Sequence, residues 1–243
     1  MLKAISDSLF AVLYPQECYN CGRISERVAE GPACSDCWEK TRIFSGEETL
    51  CAKCGSYLSE SKSTVEAFCH HCDDHRYDLA RAVGSYAHAL AAEVIRLKTT
   101  PAISRKTREL LAAALANCPF PGATLVMPVP LSRKRQLERG FNQAELLAGI
   151  AAKSLGIPLD SGTLVRKVHT PVHRTAMDKK ARDLTVRNAF AVTRPNLVNG
   201  ENILLVDDVL TSGATVSYCA KVLKKNGAGK VYVFTLARAD RLS

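Results

Sequence analysis

Ile203-Leu204-Leu205-Val206-Asp207-Asp208-Val209-Leu210-Thr211-Ser212-Gly213-Ala214-Thr215 combines three signals in one run. Ile203 to Val206 is continuously apolar, the pattern of a strand buried on both faces. Asp207 and Asp208 stand at its carboxyl end. A loop rich in hydroxyls then opens a helix over Ala214 to Lys225, stopped by Asn226-Gly227. Parallel sheets bind ligands at that carboxyl edge. Thr211, Ser212, Gly213, Ala214 and Thr215 offer backbone N–H groups, three hydroxyls and a helix N-terminus, all suited to a phosphate dianion. Two adjacent carboxylates repel phosphate but suit ribose hydroxyls or a magnesium ion, which makes Asp207 and Asp208 the candidate catalytic pair.

The preceding residues repeat the alternation of strand and helix. Ala82–Ala87 reads as a first strand, and Ala89–Leu97 and Arg105–Asn117 read as helices on either side of Pro101. Thr124–Val129 is a second strand, Phe141–Leu155 a helix stopped by Gly156, and Val231–Leu236 a last buried strand. This succession predicts an α/β fold, a parallel sheet with helices on both faces. The stretch from Pro158 to Asn199 is polar, basic and poor in strand pattern, and is expected to form a hood over the sheet edge. Between the second strand and its helix, Pro130 to Gln143 reads as a basic loop. Its Arg133, Lys134, Arg135 and Arg139 suit a pyrophosphate or a DNA phosphate, and Asn142 is placed to cap the helix.

The N-terminal third carries a different chemistry. Eight of the ten cysteines form four Cys-x-x-Cys pairs: Cys18/Cys21, Cys34/Cys37, Cys51/Cys54 and Cys69/Cys72. The gaps of twelve, thirteen and fourteen residues leave room for small hairpins. Each pair presents two thiolates to one tetrahedral ion, so four pairs suit two structural zinc ions. Pairing neighbours in sequence closes shorter loops than interleaving them, although spacing alone leaves the pairing open. Disulfides are disfavoured because no secretory signal is expected. His70, His71 and His75 read as surface or supporting residues, and Cys118 and Cys219 as small buried side chains.

Charge divides unevenly at the same place. Residues 1–78 contain eight Lys/Arg and thirteen Asp/Glu, while 79–243 contain twenty-five and eleven, formal charges of −5 and +14. The domain division expected is therefore 1–78, a short N-terminal helix plus a double zinc ribbon, and 79–243, the α/β domain with its hood over 158–199. An acidic ribbon is poorly suited to grip a phosphate backbone, so it reads as structural or as a dock for a partner. No stretch approaches a membrane span, and a cytoplasmic protein is expected.

The 203–215 run resembles the phosphoribosyl-pyrophosphate (PRPP) signature of type I phosphoribosyltransferases. That resemblance implies that the two acids hold the ribose 2′- and 3′-hydroxyls, the loop holds the 5′-phosphate, and Mg²⁺ accompanies PRPP. The basic stretch stands where those proteins carry a pyrophosphate loop. Thr211 replaces the Asp with which 6-oxopurine salvage enzymes open the phosphate loop, which argues against that substrate class.

The whole chain is similar to the ComF/GntX group. The likeness rests on Leu13 to Gly22, on Pro128-Val129-Pro130-Leu131, on Arg139-Gly140-Phe141-Asn142-Gln143, and on Arg182 with Arg187-Asn188-Ala189-Phe190. Departures are the absence of a hood glutamine near Val172-His173 and the Thr99-Thr100-Pro101 that follows Lys98. The group implies a role in handling incoming single-stranded DNA during natural transformation, with a competence helicase or recombination protein as partner. Three roles follow: a module that binds PRPP or a DNA phosphate, an active Mg²⁺-dependent phosphoribosyltransferase of unassigned acceptor, and an adaptor docking through its acidic ribbon.

Overall fold

Two short antiparallel hairpins open the described part of the chain, β1 (Gln16–Glu17) with β2 (Ile24–Ser25) and, beyond helix α1 (Ser35–Glu39), β3 (Thr49–Leu50) with β4 (Tyr57–Ser59). The computed structural model describes residues 16–25, 31–61, 63, 65–118, 120–167 and 189–239. The helix expected over Met1–Tyr14 lies outside these residues, as does the middle of the hood with Val172, His173, Arg182, Arg187 and Asn188.

The α/β part follows as β5 (Leu79–Ser85), α2 (His88–Leu97), α3 (Arg105–Asn117), β6 (Leu125–Pro128), α4 (Arg133–Arg139) and α5 (Gln143–Leu155). Then come β7 (Leu164–Arg166), β8 (Phe190–Val192), β9 (Ile203–Leu210), α6 (Ala214–Lys225) and β10 (Val231–Arg238). The main sheet runs β5-β10-β9-β6 with every pairing parallel. The two most apolar strands therefore take the central places, where side chains are covered on both faces.

Alternation along β9 divides the core. Leu204 and Val206 pack with Leu111, Leu147 and Ala148 from α3 and α5, while Ile203 and Leu205 pack with Val216, Cys219 and Leu223 from α6. Helices thus cover both faces, as the alternating pattern required. The cysteine pairs join these same layers. Cys18, Cys34 and Cys37 with Trp38 pack into the first, and Cys51, Cys54 and Cys72 into the second. The ribbon and the sheet are built around shared cores.

Four expectations need correction. The first strand begins at Leu79, not Ala82, and ends at Ser85. Its charged Arg81 interrupts the apolar pattern, yet it is held against the ribbon by donating to the carbonyl of Ala52 at 3.1 Å. The signature strand does not stop at Val206 but runs through both acids to Leu210, because β10 continues beside it and pairs Thr235 with Asp207 and Arg238 with Leu210. The basic loop is largely helix. Ser132 accepts from the Arg135 amide at the start of α4, and Gly140, at φ 79°, ends it in the left-handed region that a side chain disfavours. The hood also contains regular structure, with β7 and β8 forming an antiparallel hairpin.

Candidate functional site

β6 ends at Pro128, paired with Val206, so β9 runs past it and its next residues stand clear of that neighbour. Asp207 and Asp208 occupy this step at the carboxyl edge of the sheet. Being adjacent in a strand, they point to opposite faces. Asp208 is directed toward α5, where its Oδ2 accepts from Gln143 Nε2 at 3.2 Å and its Oδ1 from the Val209 amide at 2.8 Å. Asp207 lies on the side of α6 and the hood, within the electrostatic reach of Cys219 and of Arg166 on β7. Its Oδ1 accepts from the amide of Asp208 at 2.9 Å. The acids are thus neighbours in sequence but belong to different walls of the site.

Their environments differ accordingly. Desolvation raises the Asp207 carboxyl well above the ordinary carboxylate range, and the neighbouring charge of Asp208 adds to the shift. Arg166 works in the opposite sense. Its guanidinium lies 5.3 Å from the Phe190 ring centroid, and its own pKa is lowered by burial and then by the charge of Arg135. Arg166 was not singled out from the sequence. It lies on a three-residue strand in the segment read as hood, and a parallel bridge between Arg166 and Ser132 joins β7 to the start of α4.

The helical form of α4 sorts the four expected cations. Arg135 and Arg139, four residues apart, share a face and are half-buried, while Arg133 and Lys134 are exposed. Lys134 pairs with Glu138 at 3.9 Å along the helix. Arg139 Nη1 donates to Gln143 Oε1 at 2.6 Å, and the same amide passes its Nε2 hydrogen to Asp208. A basic helix is therefore linked to Asp208 through one buried glutamine. The sequence shows the motif containing Gln143 but not its role, because Asp208 lies 65 positions away. Asn142 caps α5 as expected, accepting from the Ala144 amide at 3.1 Å and donating to the carbonyl of Val129 at 3.1 Å.

On the other side of β9, Thr211, Ser212 and Gly213 form the turn, and Ala214 and Thr215 already belong to the first turn of α6. Thr211 and Ser212 are exposed, while Gly213 is buried at φ 77°. The Ala214 amide donates to Ser212 Oγ at 3.4 Å, and no acidic residue occupies the first turn of α6 to offset its positive dipole end. The site thus brings together a helix N-terminus, two carboxylates and a cationic helix face along one edge of the sheet.

The zinc-type clusters are resolved as well. Cys18, Cys21, Cys34 and Cys37 form one group and Cys51, Cys54, Cys69 and Cys72 the other, with the sulfur atoms of each group within 4.8 Å of one another. Separations of 3.7 Å for Cys18–Cys37, 3.6 Å for Cys21–Cys34 and 3.4 Å for Cys54–Cys69 approach the roughly 3.8 Å edge of a tetrahedron with 2.3 Å metal–sulfur bonds. The donor set is that of structural zinc, and the pairing is the sequential one. His70 and His71 are exposed, whereas His75 is half-buried against the phosphate-type loop. Cys219 is fully buried, and burial raises its thiol well above the ordinary range; the Cys118 thiol is raised to about 11. These shifts favour the thiol over the reactive thiolate at both positions.

Two family models match parts of the chain. Residues 9–74 match the double zinc ribbon domain, and residues 142–242 match the phosphoribosyl transferase domain. The chain is 30% identical over 236 residues to competence protein F of Haemophilus influenzae, covering 91% of this chain and 96% of that protein. It is 31% identical to the DNA utilization protein YhgH of Escherichia coli K12, covering 92% and 97%. Competence protein ComFC of Bacillus subtilis is 29% identical, with 85% and 84% covered. Among the described residues, no helix is long and apolar enough to cross a membrane.

Proposed function

The chain belongs to the family of competence protein F, and on that footing we propose that its 207–215 region binds PRPP or a related phosphorylated ribose with Mg²⁺. In this reading Asp207 and Asp208 accept the ribose hydroxyls. The amides and hydroxyls of Thr211, Ser212, Gly213, Ala214 and Thr215 hold the 5′-phosphate. Arg135 and Arg139 meet the pyrophosphate, with Arg133 and Lys134 on the outer face of the same helix. Mg²⁺ neutralises pyrophosphate charge when bound. The observation that carries the reading is the link Arg139–Gln143–Asp208, which ties the pyrophosphate side to the ribose side within one hydrogen-bonded chain.

The role proposed for this site is the handling of incoming single-stranded DNA in transformation, a reading supported by relatives named for competence and for DNA utilization. Among the described residues, the exposed large aromatic side chains are Tyr19 and Phe68, both in the acidic ribbon. A strand held by the basic half is therefore gripped through its phosphates, not by base stacking. The ribbon is left to dock a protein partner such as a helicase or recombination protein.

Calorimetric titration of the zinc-loaded protein with PRPP and Mg²⁺ tests the site. Micromolar binding, about −8 kcal/mol, is expected for the wild type and its loss for Asp208→Asn. Absence of binding to the folded wild type rejects the reading. Where PRPP binds, an acceptor screen decides whether the site also turns it over. For DNA, charge reversal at Arg135 and Arg139 should weaken salt-dependent single-strand binding, and unchanged binding would remove this surface from consideration.

A further inference from the structure

The two cysteine clusters are not equivalent in what they touch. The first has an exposed Cys21 and packs on the α2 and α3 side of the sheet. The second, here called the second knuckle, has Cys51, Cys54 and Cys72 at most 1% exposed and shares a core with Val216 and Cys219 of α6. Its last ligand leads into a short segment that runs under the phosphate-type loop. The His75 amide donates to the carbonyl of Cys72 at 3.0 Å, and the Arg76 amide donates to Ser217 Oγ in the first turns of α6, also at 3.0 Å. His75 Nδ1 and the hydroxyl of buried Tyr77 are 2.6 Å apart, which fixes the ring.

That ring lies directly against Gly213. A Cβ at position 213 would come within 2.6 Å of His75 Cε1 and 3.1 Å of both ring nitrogens. Contact this close leaves the loop no room to settle inward. The segment is held at its far end as well, because the Asp78 amide donates to the carbonyl of Val231 at 2.8 Å and its carboxylate pairs with Lys224 at 2.7 Å. Residues 72–78 are therefore a strap fastened to the metal-type cluster at one end and to α6 and β10 at the other.

We propose that the second knuckle positions the phosphate loop: a metal ion on Cys51, Cys54, Cys69 and Cys72 fixes the strap, and His75 and the Arg76 amide hold Gly213 and Ser217 in place. His75 is a positioning residue in this scheme. The inference rests on reading 211–215 as a phosphate cradle, but the loop's order can be measured without any ligand.

The experiment combines zinc content by mass spectrometry, amide hydrogen exchange over residues 211–217, and PRPP titration. His75→Ala should keep both zinc ions while those amides exchange about tenfold faster, the change expected when the ring packed on Gly213 and its hydrogen bond to Tyr77 no longer stiffen the strap under the loop. His75→Phe, which restores a flat ring against Gly213, should return the rates toward wild type. Cys69→Ser should lose one zinc ion and show the same faster exchange, whereas Cys21→Ser should lose one zinc ion with loop rates unchanged. Wild-type loop exchange in His75→Ala would overturn the proposal, as would equal acceleration from emptying either cluster. If Cys69→Ser is insoluble, the two His75 variants decide. The predicted exchange pattern in a wild type that binds no PRPP would reject the phosphate reading and leave the positioning intact.

Discussion

Gln143 offers the sharpest perturbation of the site, because its two hydrogen bonds both involve charged partners. The side chain is 5% exposed, accepts from Arg139 at 2.6 Å and donates to Asp208 at 3.2 Å. Gln143→Ala removes both. Arg139 is half-exposed, so water can replace its lost acceptor and that end costs little. Asp208 is only 9% exposed, so one of its oxygens loses its donor in a place water reaches poorly. Leaving such a group unsatisfied costs about 1–3 kcal/mol. Taking about 2 kcal/mol, the melting temperature should fall by roughly 4–8 °C for a chain of this size. The same free energy, if it loosens the carboxylate that receives the ribose, weakens PRPP binding by about thirtyfold.

Gln143→Glu separates loss of the donor from loss of volume. It is nearly isosteric and still accepts from Arg139, but it turns an oxygen toward Asp208 where an N–H stood. Two carboxylates at this distance share a proton and raise the apparent pKa of the pair. That proton restores the bridge at low pH and is lost as pH rises. Binding by this variant should therefore approach wild type in acid and collapse on the alkaline side. Differential scanning calorimetry and titration calorimetry at several pH values measure both quantities. If Gln143→Ala melts within a degree of wild type and binds PRPP equally well, the proposed linkage is wrong. Wild-type affinity of Gln143→Glu at alkaline pH would be equally damaging.

Other consequences can be checked independently. Asp207 has a raised pKa in the fold, so its contribution is present at low pH and is lost as pH rises through that folded value; ionising it costs stability. Asp207→Asn should therefore raise the melting temperature at neutral and alkaline pH while removing PRPP binding, and a lowered melting temperature there would contradict the assignment. Gly213→Ala should lose PRPP binding by at least about tenfold, since the new methyl meets both a left-handed backbone and the His75 ring; calorimetric binding at wild-type affinity would show that the loop adapts. Arg238 is 3% exposed and donates to Cys54 Sγ at 3.4 Å, placing a cation beside a cluster whose four thiolates and one zinc ion carry a formal −2. Arg238→Met should speed zinc release from the second cluster to a chromogenic chelator, leaving the first unaffected, and unchanged release would discount the charge.

What the sequence disclosed was local, and what it concealed was relational. The 203–215 run announced itself because a buried strand, two acids and a glycine turn are contiguous, and α6 ends at the Asn226-Gly227 stop. The four Cys-x-x-Cys pairs were equally plain, and loop-closure cost favoured the pairing found. The helical character of α4 was available in Ser132 and Gly140, which are ordinary start and stop residues, but its dense cations suggested a loop. Gln143 meets Asp208 across 65 positions, and Arg76 meets Ser217 across 141, so no spacing rule could reveal either contact. Arg166 was obscured for another reason. It sits on a strand of three residues whose partner, β8, lies beyond a long intervening segment.

The shared cores change how the acidic ribbon should be understood. A ribbon tethered only by a linker could be deleted without disturbing the sheet. Here Ala80 of edge strand β5 donates through its amide to the carbonyl of Lys53, and Arg81 donates to the carbonyl of Ala52. The ribbon therefore covers an edge that would otherwise expose unpaired backbone groups. Gly55 fits the same junction so closely that a Cβ would stand 2.6 Å from the carbonyl oxygen of Ala80. Removal of residues 1–78 should consequently yield an aggregating sheet, not a separable PRPP-binding domain. Size-exclusion chromatography distinguishes the outcomes directly: a monomeric, PRPP-competent fragment of 79–243 would mean that the edge is protected by other means and that the ribbon is an independent module after all.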